Sequence, residues 1–235
     1  MAEPLDYPTP DRAHRLYVAL TNHCNRACPW CSTCSSPAGS TWLSVAHYES
    51  LLPDSRPFQV QLEGGEPTIH PNFFELVKIA RAHSRCTHVV LCTNGVVLPR
   101  TAGALRSWLR GLGSPLTVKL SVNHHLLASD PELPALASLL RNQMLELGGQ
   151  RLLVVNARLR RGIADDDRAV REAIARAGLQ SCANIFFLQR YGYAAGEHRW
   201  SAPSPVSANF TLINPDGRSY GTDLIARSEG MRALP

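Results

Sequence analysis

Four cysteines lie within eleven residues near the beginning of the chain, and their spacing suits a metal centre. Cys24, Cys28 and Cys31 have the spacing C-x3-C-x2-C, and Cys34 follows after two more residues. A short loop with this spacing can bring three thiolates to one centre, whereas zinc requires a fourth ligand. The pattern therefore favours an iron–sulfur cluster held by three thiolates. Structural zinc with Cys34 or His23 as fourth ligand, and buried inert cysteines, are the two alternatives.

The other three cysteines are scattered along the chain. We expect Cys86, Cys92 and Cys182 to pack as small apolar residues. Seven cysteines cannot all pair in disulfides, and the polar, proline-rich N-terminal segment lacks the apolar core of a secretion signal. These features predict a reducing, cytoplasmic location. No apolar run reaches the length of a membrane helix, so we expect no membrane association.

Composition and charge exclude further classes of protein. The 235 residues are 44% hydrophobic and 18% charged, which is sufficient for a packed core and too apolar for a disordered chain. The net charge is +5, but many of the arginines alternate with acidic residues between positions 141 and 176. No dense run of Lys and Arg with interleaved aromatic residues is present, so nucleic-acid binding is not favoured.

The elements that must position these cysteines alternate between strands and helices. Apolar and period-two patterns predict strands at residues 16–21, 58–63, 88–93, 116–122, 152–159 and 183–188. Helical spacing predicts helices at residues 44–52, 72–83, 101–112, 133–147 and 165–177. Six strands alternating with five helices indicate an α/β fold with right-handed βαβ units around a parallel sheet.

Two details of this pattern are more specific. The last of the six strands is apolar throughout, which predicts burial on both of its faces. After it, the turn at Asn214-Pro215-Asp216-Gly217 separates residues 209–213 from residues 218–222, which predicts a C-terminal β-hairpin.

Three short motifs at strand ends resemble those of the radical S-adenosylmethionine (radical SAM) superfamily. Cys24-x3-Cys28-x-Trp30-Cys31 follows the first strand, and Gly64-Gly65-Glu66-Pro67 follows the second. Thr93-Asn94-Gly95 ends the third strand. The resemblance covers residues 15–190 and implies a partial (β/α)6 TIM-like barrel. Because no cysteine follows Cys182, the chain resembles a compact member without the auxiliary-cluster extension.

The resemblance also implies cofactors and site residues. Cys24, Cys28 and Cys31 would bind a [4Fe–4S] cluster whose fourth iron binds S-adenosylmethionine (SAM). Residues implied in SAM binding are Trp30, Gly64, Gly65, Glu66, Pro67, Thr93, Asn94, Ser121, Asn123, Asn156, Arg158 and Leu188. No catalytic residue is assigned on the substrate side, for which the candidates are Cys34, Cys182, Tyr191 and Tyr193.

The implied function is reductive cleavage of SAM to a 5′-deoxyadenosyl radical, which abstracts hydrogen from a small-molecule or peptide substrate in natural-product or peptide modification. An electron donor such as flavodoxin or ferredoxin is the expected partner. The expected organisation is an N-terminal arm at 1–14, a barrel at 15–190, and a loop and hairpin at 191–235 packed on the barrel. Two alternatives stay open: an activating enzyme that installs a radical on a partner protein, and a non-enzymatic iron–sulfur or zinc-binding module.

Overall fold

The computed structural model describes residues 13–160, 164–197 and 209–235. In these residues, seven strands and the helices between them form an α/β fold of parallel strand pairs, which confirms the predicted fold class. The strands are β1 (His14–Ala19), β2 (Phe58–Glu63), β3 (Cys86–Thr93), β4 (Leu116–Val122), β5 (Arg151–Leu159), β6 (Ala183–Phe187) and β7 (Phe210–Ile213).

Seven α-helices are present in the same described residues. They are α1 (Val45–Ser50), α2 (Phe73–Ala82), α3 (Ala102–Leu112), α4 (His124–Ser129), α5 (Leu133–Leu147), α6 (Ala164–Arg176) and α7 (Leu224–Arg232). All six predicted strands and five predicted helices are found, with ends that differ from the prediction by two residues at most. No helix in this part of the chain is long and apolar enough to cross a membrane.

The described chain divides into two compact units. The first unit consists of residues 13–91 and 189–235, and the second of residues 92–188. Residues 1–12 of the predicted arm, and residues 198–208 of the predicted C-terminal loop, lie outside the described residues. The boundaries of the predicted barrel at 15–190 stay a prediction.

In the first unit, β1 lies between β2 and β7, and β3 lies on the far side of β2; all of these pairs are parallel. Tyr17 pairs in register with Gln61, and Ala19 pairs with Glu63. Neighbouring residues in register share a face of the sheet, so one face carries Gln61 and Glu63. The alternate residues Val18 and Leu62 are completely buried, as expected for the apolar face.

The C-terminal segment differs in part from the predicted hairpin. Leu212 of β7 exchanges hydrogen bonds with the second predicted arm, since its N–H donates to the carbonyl of Gly221 (2.8 Å) and its carbonyl accepts from Tyr220 (2.9 Å). β7 uses its other edge to pair with β1 in parallel. Helix α7 then follows, which the sequence pattern did not predict. Its buried residues are Arg227, Ser228 and Met231, so its buried face carries no apolar repeat by which a helix is recognised.

In the second unit, β5 lies between β4 and β6, again in parallel. The prediction that β6 is buried on both faces is wrong. Its first four residues are only half-buried, and Phe187 is 41% exposed. The reason is its position: in the described residues β6 pairs with β5 alone and is therefore an edge strand, so one of its sides has no neighbour to cover it.

Candidate cofactor site

Residues 21–43, here called the cysteine loop, are closed at their base by the ends of β1 and β2. Leu20 donates its N–H to the carbonyl of Glu63 (2.9 Å), and its own carbonyl accepts from Leu43 (2.8 Å). The buried Asn22 side chain accepts from the N–H of Thr41 (2.8 Å) and donates to the carbonyl of Pro235 (2.8 Å). The loop is thus attached both to the sheet and to the segment after α7.

The three predicted ligand cysteines lie together in this loop. Cys31 donates its N–H to the carbonyl of Cys28 (3.1 Å), and its Sγ accepts from the N–H of Ser35 (3.4 Å). Burial raises the pKa of Cys24 to about 12, and Glu66 and the other two thiols act in the same direction. The thiols are therefore close enough to influence each other's ionisation, so in the absence of a cation the thiolate of Cys24 is disfavoured.

The cysteine loop fits a metal centre by the kind of ligand atoms that it offers. Nowhere in the described residues are three or more His, Cys, Asp or Glu side chains arranged as a preformed metal site. The donor set is nonetheless sulfur throughout, with one thiol already hydrogen-bonded by a backbone N–H, which is the environment that Fe–S clusters use. A cation offsets the repulsion between neighbouring thiolates, so the donors fit an iron–sulfur cluster.

The glycine turn after β2 lies directly against the cysteine loop. Gly65 donates its N–H to the carbonyl of Thr21 (2.7 Å), and Glu66 donates to the carbonyl of His23 (3.0 Å). A Cβ at Gly65 would overlap that His23 carbonyl, and a Cβ at Gly64, whose φ is +126°, would overlap the Thr21 carbonyl. Only glycine permits this approach of two backbones.

Glu66 and Pro67 of this turn are buried, and so is Trp30 of the cysteine loop. The Glu66 side chain is completely buried, and its Oε1 accepts from the N–H (3.2 Å) and the hydroxyl (2.5 Å) of Thr68. It thereby caps the single 3₁₀ turn Pro67–Ile69. Glu66 is not the solvated turn residue that such a position often holds, but a buried group in a fixed orientation.

The remaining predicted SAM residues belong to the second unit, where most of them lie at the carboxyl ends of strands. Ser121 pairs in register with Asn156, whose Oδ1 accepts from the Asn184 amide (3.3 Å). The Arg158 guanidinium lies 5.4 Å from the centre of the Phe186 ring. These strand-end residues are therefore neighbours within this unit.

Several of these side chains already make local hydrogen bonds. Oδ1 of Asn123 accepts from the N–H of Leu126 (2.9 Å) and begins α4, a short helix that the sequence analysis missed. The Thr93 hydroxyl accepts from Gly95 (3.0 Å), and Oδ1 of Asn94 accepts from Val96 (3.0 Å). Leu188 is buried and donates its N–H to Leu159 (2.9 Å).

Of the four substrate-side candidates, Cys34, Tyr191 and Tyr193 belong to the first unit, where the Tyr193 hydroxyl donates to the carbonyl of Cys34 (2.8 Å), and Cys182 belongs to the second. Cys182 precedes β6, at the opposite end of that strand from Leu188, and its thiol donates to the carbonyl of Leu179 (3.3 Å). Cys34 is 7% exposed and packs against Ala19 and Met231. Tyr193 contacts the backbone of the cysteine loop, and Tyr191 precedes the 3₁₀ turn Gly192–Ala194.

Comparison with known proteins agrees with this arrangement. Over 91 residues the chain is 35% identical to a GTP 3',8-cyclase of Chlorobaculum tepidum, a match that covers 37% of this chain and 28% of that protein. Over 90 residues it is 37% identical to the mycofactocin maturase MftC of Mycobacterium ulcerans, covering 37% of this chain and 24% of MftC. Both are radical SAM proteins.

Over these stretches, the chain is therefore similar to radical SAM enzymes. It spans less than a third of the length of these two relatives. No family model matches it. Among solved structures, the fold of this chain is similar to that of SuiB of Streptococcus suis bound to its precursor peptide SuiA, with a TM-score of 0.60 at 11% identity, covering 88% of this chain and 58% of SuiB. SuiB bound to S-adenosylmethionine gives a TM-score of 0.58 at 12% identity, covering 88% and 59%.

One buried ion pair of this chain was missed by sequence analysis. Nη1 of Arg227 lies 2.6 Å from Oε1 of Glu63, the residue directly before Gly64. Oε2 of Glu63 accepts from the Gln61 amide (2.5 Å), and Nε of Arg227 donates to the fully buried Asn214 (3.2 Å). The pair joins residues 164 positions apart, which no local pattern indicates. Nothing in the local sequence marks Arg227 as a buried residue.

We expect Arg227→Lys to lower the free energy of unfolding by about 1–2 kcal/mol, because lysine keeps the charge but loses the fork that reaches both Glu63 and Asn214. Urea denaturation measures the difference. Arg218→Lys is the matched control, since Arg218 is exposed and its pairing with Asp216 is at the surface, where such pairs contribute little. Equal losses in the two variants would contradict the importance of the buried pair.

A histidine next to the glycine turn makes stability depend on pH. Nε2 of the buried His70 donates to the carbonyl of Leu43 (3.0 Å), Nδ1 accepts from Asn72 (3.1 Å), and burial lowers the pKa of His70. The unfolded chain therefore takes up a proton near pH 6.5, where the folded chain does not. The contribution of His70 to the free energy of unfolding is therefore complete above pH 6.5. It is lost as the pH falls from there toward the lowered pKa of the folded chain.

The measurement is urea denaturation at several values between pH 7.5 and pH 4.5. As the pH falls, we expect His70→Gln to lose less stability than the unchanged protein. The control variant of the exposed His47, His47→Gln, should lose as much as the unchanged protein. Burial lowers the pKa of His88 to about 4, with Arg81 and Arg15 acting in the same direction, so a residual slope of the same sign remains. An unchanged slope in His70→Gln would contradict the assignment.

Proposed function

We propose that this chain reductively cleaves SAM at a [4Fe–4S] cluster bound by Cys24, Cys28 and Cys31, and that the 5′-deoxyadenosyl radical so formed abstracts hydrogen from a small-molecule or peptide substrate. The observation that supports this proposal most directly is the backbone contact between the glycine turn and the cysteine loop. The hydrogen bond from Glu66 N–H to the His23 carbonyl places the turn beside the residue that precedes Cys24. A zinc or iron–sulfur module without SAM has no need of this contact.

The residues of the first unit would divide the work of holding the two cofactors. The three thiolates would bind iron, and the cluster would supply the electron for the reductive cleavage of SAM. Because Gly64 and Gly65 have no side chains, the SAM ammonium could approach their carbonyl oxygens, of which that of Gly64 also accepts from the Thr33 hydroxyl (3.0 Å). The buried carboxylate of Glu66, which Thr68 holds in place, would add negative charge beside that ammonium. Pro67 stiffens the turn, and the buried Trp30 would shield the cluster from solvent.

The strand-end residues of the second unit stay predictions from the family resemblance. They are Thr93, Asn94, Ser121, Asn123, Asn156, Arg158 and Leu188, each proposed to contact SAM. The carboxamide oxygen of Asn123 accepts the bond that caps α4, so its NH2 group is the part proposed to donate to SAM.

The crystal structure of SuiB with a precursor peptide supports a peptide as the substrate class, since the two chains share a fold. An electron donor of the flavodoxin or ferredoxin type is proposed as the partner that reduces the cluster.

Anaerobic reconstitution with iron and sulfide, followed by SAM and dithionite, tests the function. We expect a brown protein that forms 5′-deoxyadenosine and methionine, measured by liquid chromatography and mass spectrometry. One bound zinc and no iron would instead support the metal-binding module. A fully loaded cluster that leaves SAM intact would contradict the proposed function. A glycyl radical found on a co-purified protein would identify the activating-enzyme alternative.

A further inference from the structure

The 3₁₀ turn Gly192–Ala194 contacts the cysteine loop at the third predicted cluster ligand. Tyr193 donates its N–H to the carbonyl of Cys31 (3.0 Å). Gly192, with φ of +65°, lies so close that a Cβ there would overlap the same carbonyl and would come within 2.7 Å of the Cα of Ser32. No motif of the sequence analysis includes this contact.

The side chain of Tyr193 reaches a second point of the same loop. Its hydroxyl donates to the carbonyl of Cys34 (2.8 Å), and the N–H of Cys34 donates to the carbonyl of Cys31 (3.3 Å). One tyrosine therefore binds both ends of the turn 31–34, through its backbone at one end and its hydroxyl at the other. This turn also holds Ser35 and Thr33 next to Cys31 Sγ, at 3.4 Å and 3.3 Å.

Helix α7 holds the tyrosine turn in place from the other side. Nη2 of Arg232 donates to the carbonyl of Gly192 (2.6 Å), and the N–H of Gly192 donates to the hydroxyl of Ser228 (3.3 Å). Met231, between these two residues in the helix, packs against Cys34 and Ala19. Both backbone groups of Gly192 are thus satisfied by α7, so the turn has one defined position.

We propose that Tyr193 is a positioning residue for the iron–sulfur cluster, which it influences by fixing the backbone of Cys31. The inference rests on the proposed function only for the presence of a cluster and not for SAM cleavage. Tyr193 was a substrate-side candidate, and this assignment gives it a different role. Residues that orient a metal ligand typically change metal affinity or activity by about 10–100-fold when they are replaced.

The test compares two tyrosine variants of the full chain after anaerobic loading with iron and sulfide. Tyr193→Phe removes the hydroxyl, with its bonds to the Cys34 carbonyl and to Ser36, and keeps the N–H bond to Cys31. Tyr220→Phe removes a hydroxyl elsewhere in the same unit and is the control. We expect iron transfer to a ferrous chelator to be about tenfold faster for Tyr193→Phe and within twofold of the unchanged protein for Tyr220→Phe.

The electron paramagnetic resonance spectrum of the reduced cluster separates positioning from general stability. We expect altered g-values in Tyr193→Phe, whereas a merely structural contact would lower the melting temperature and leave the spectrum unchanged. Gly192→Ala is the second variant, and we expect it to bind less iron per chain. Its control is Gly196→Ala, because nothing lies within 4 Å of a Cβ at Gly196.

The outcomes distinguish this inference from the proposed function. Iron release and spectra in Tyr193→Phe equal to those of the unchanged protein would overturn the positioning role alone. A loaded cluster that does not cleave SAM would contradict the proposed function alone, while the comparison of iron release still decides the role of Tyr193. Failure of the unchanged chain to bind iron would overturn both.

Discussion

Cys31→Ser is expected to abolish both cluster formation and SAM cleavage, with no 5′-deoxyadenosine above background. A serine hydroxyl does not ionise at neutral pH as a thiol next to a metal does, so one of the three proposed iron ligands is lost. Cys31 is also a proposed ligand that the surrounding structure holds at two points, through Ser35 at its sulfur and Tyr193 at its carbonyl. Iron content, the visible absorption of the cluster and 5′-deoxyadenosine yield measure the effect.

Cys34→Ala is the matched control for this prediction. Its thiol belongs to the same spacing pattern but packs against Ala19 and Met231 in the core. Burial raises the pKa of Cys34, while the Arg232 guanidinium beside it acts in the opposite direction. We expect Cys34→Ala to retain the cluster and to lose about 1 kcal/mol of stability from the small cavity. Loss of iron in Cys34→Ala with retention in Cys31→Ser would reverse the ligand assignment.

Gly65→Ala is expected to have the second-largest effect, a loss of SAM binding together with about 3 kcal/mol of stability. The added Cβ would overlap the His23 carbonyl oxygen and lie 2.5 Å from the His23 carbonyl carbon. Both atoms belong to the backbone, so the clash is relieved only if the glycine turn and the cysteine loop move apart. That movement would also break the bond from Glu66 to His23.

Gly103→Ala provides the comparison for this variant. Gly103 lies in α3, and nothing is found within 4 Å of a Cβ there. Alanine is a better helix former than glycine, so we expect Gly103→Ala to gain up to about 1 kcal/mol. Urea denaturation and a SAM-binding titration of the iron-loaded proteins measure the two variants. Unimpaired SAM binding in Gly65→Ala would show that the close approach of the two loops is not required.

Most of the secondary structure of the chain could be predicted from its sequence because the signals are local. β2, β4 and α5 agree with the prediction at both ends. Strands with apolar or period-two patterns and helices with apolar spacing are determined by which face each residue must bury. The burial of β6 could not be predicted in this way, since its apolar residues are the same whether the strand is central or at an edge. Its position beside β5 alone decides that Phe187 is exposed.

Helix α7 shows the same limit for a helix. Its buried residues include Arg227 and Ser228, whose partners are Glu63, Asn214 and the backbone of Gly192. A charged side chain is buried only when a partner compensates its charge. The partner Glu63 lies far from α7 in the chain, so the local sequence resembles that of a solvated segment. The sequence pattern therefore does not predict this helix.

By itself, the sequence determined the chemistry of the proposed site. Its signals are local patterns: the cysteine spacing, the aromatic residue before Cys31 and the glycine turn after β2. They are local because the proposed metal ligands lie on one loop, and because the turn needs glycines that are adjacent in sequence. The tertiary structure alone decided what holds them together. The contact of Gly65 with the cysteine loop, the Glu63–Arg227 pair and the two bonds of Tyr193 to residues 31–34 join distant parts of the chain. Such contacts depend on which strands become neighbours, and no short stretch of sequence carries that information.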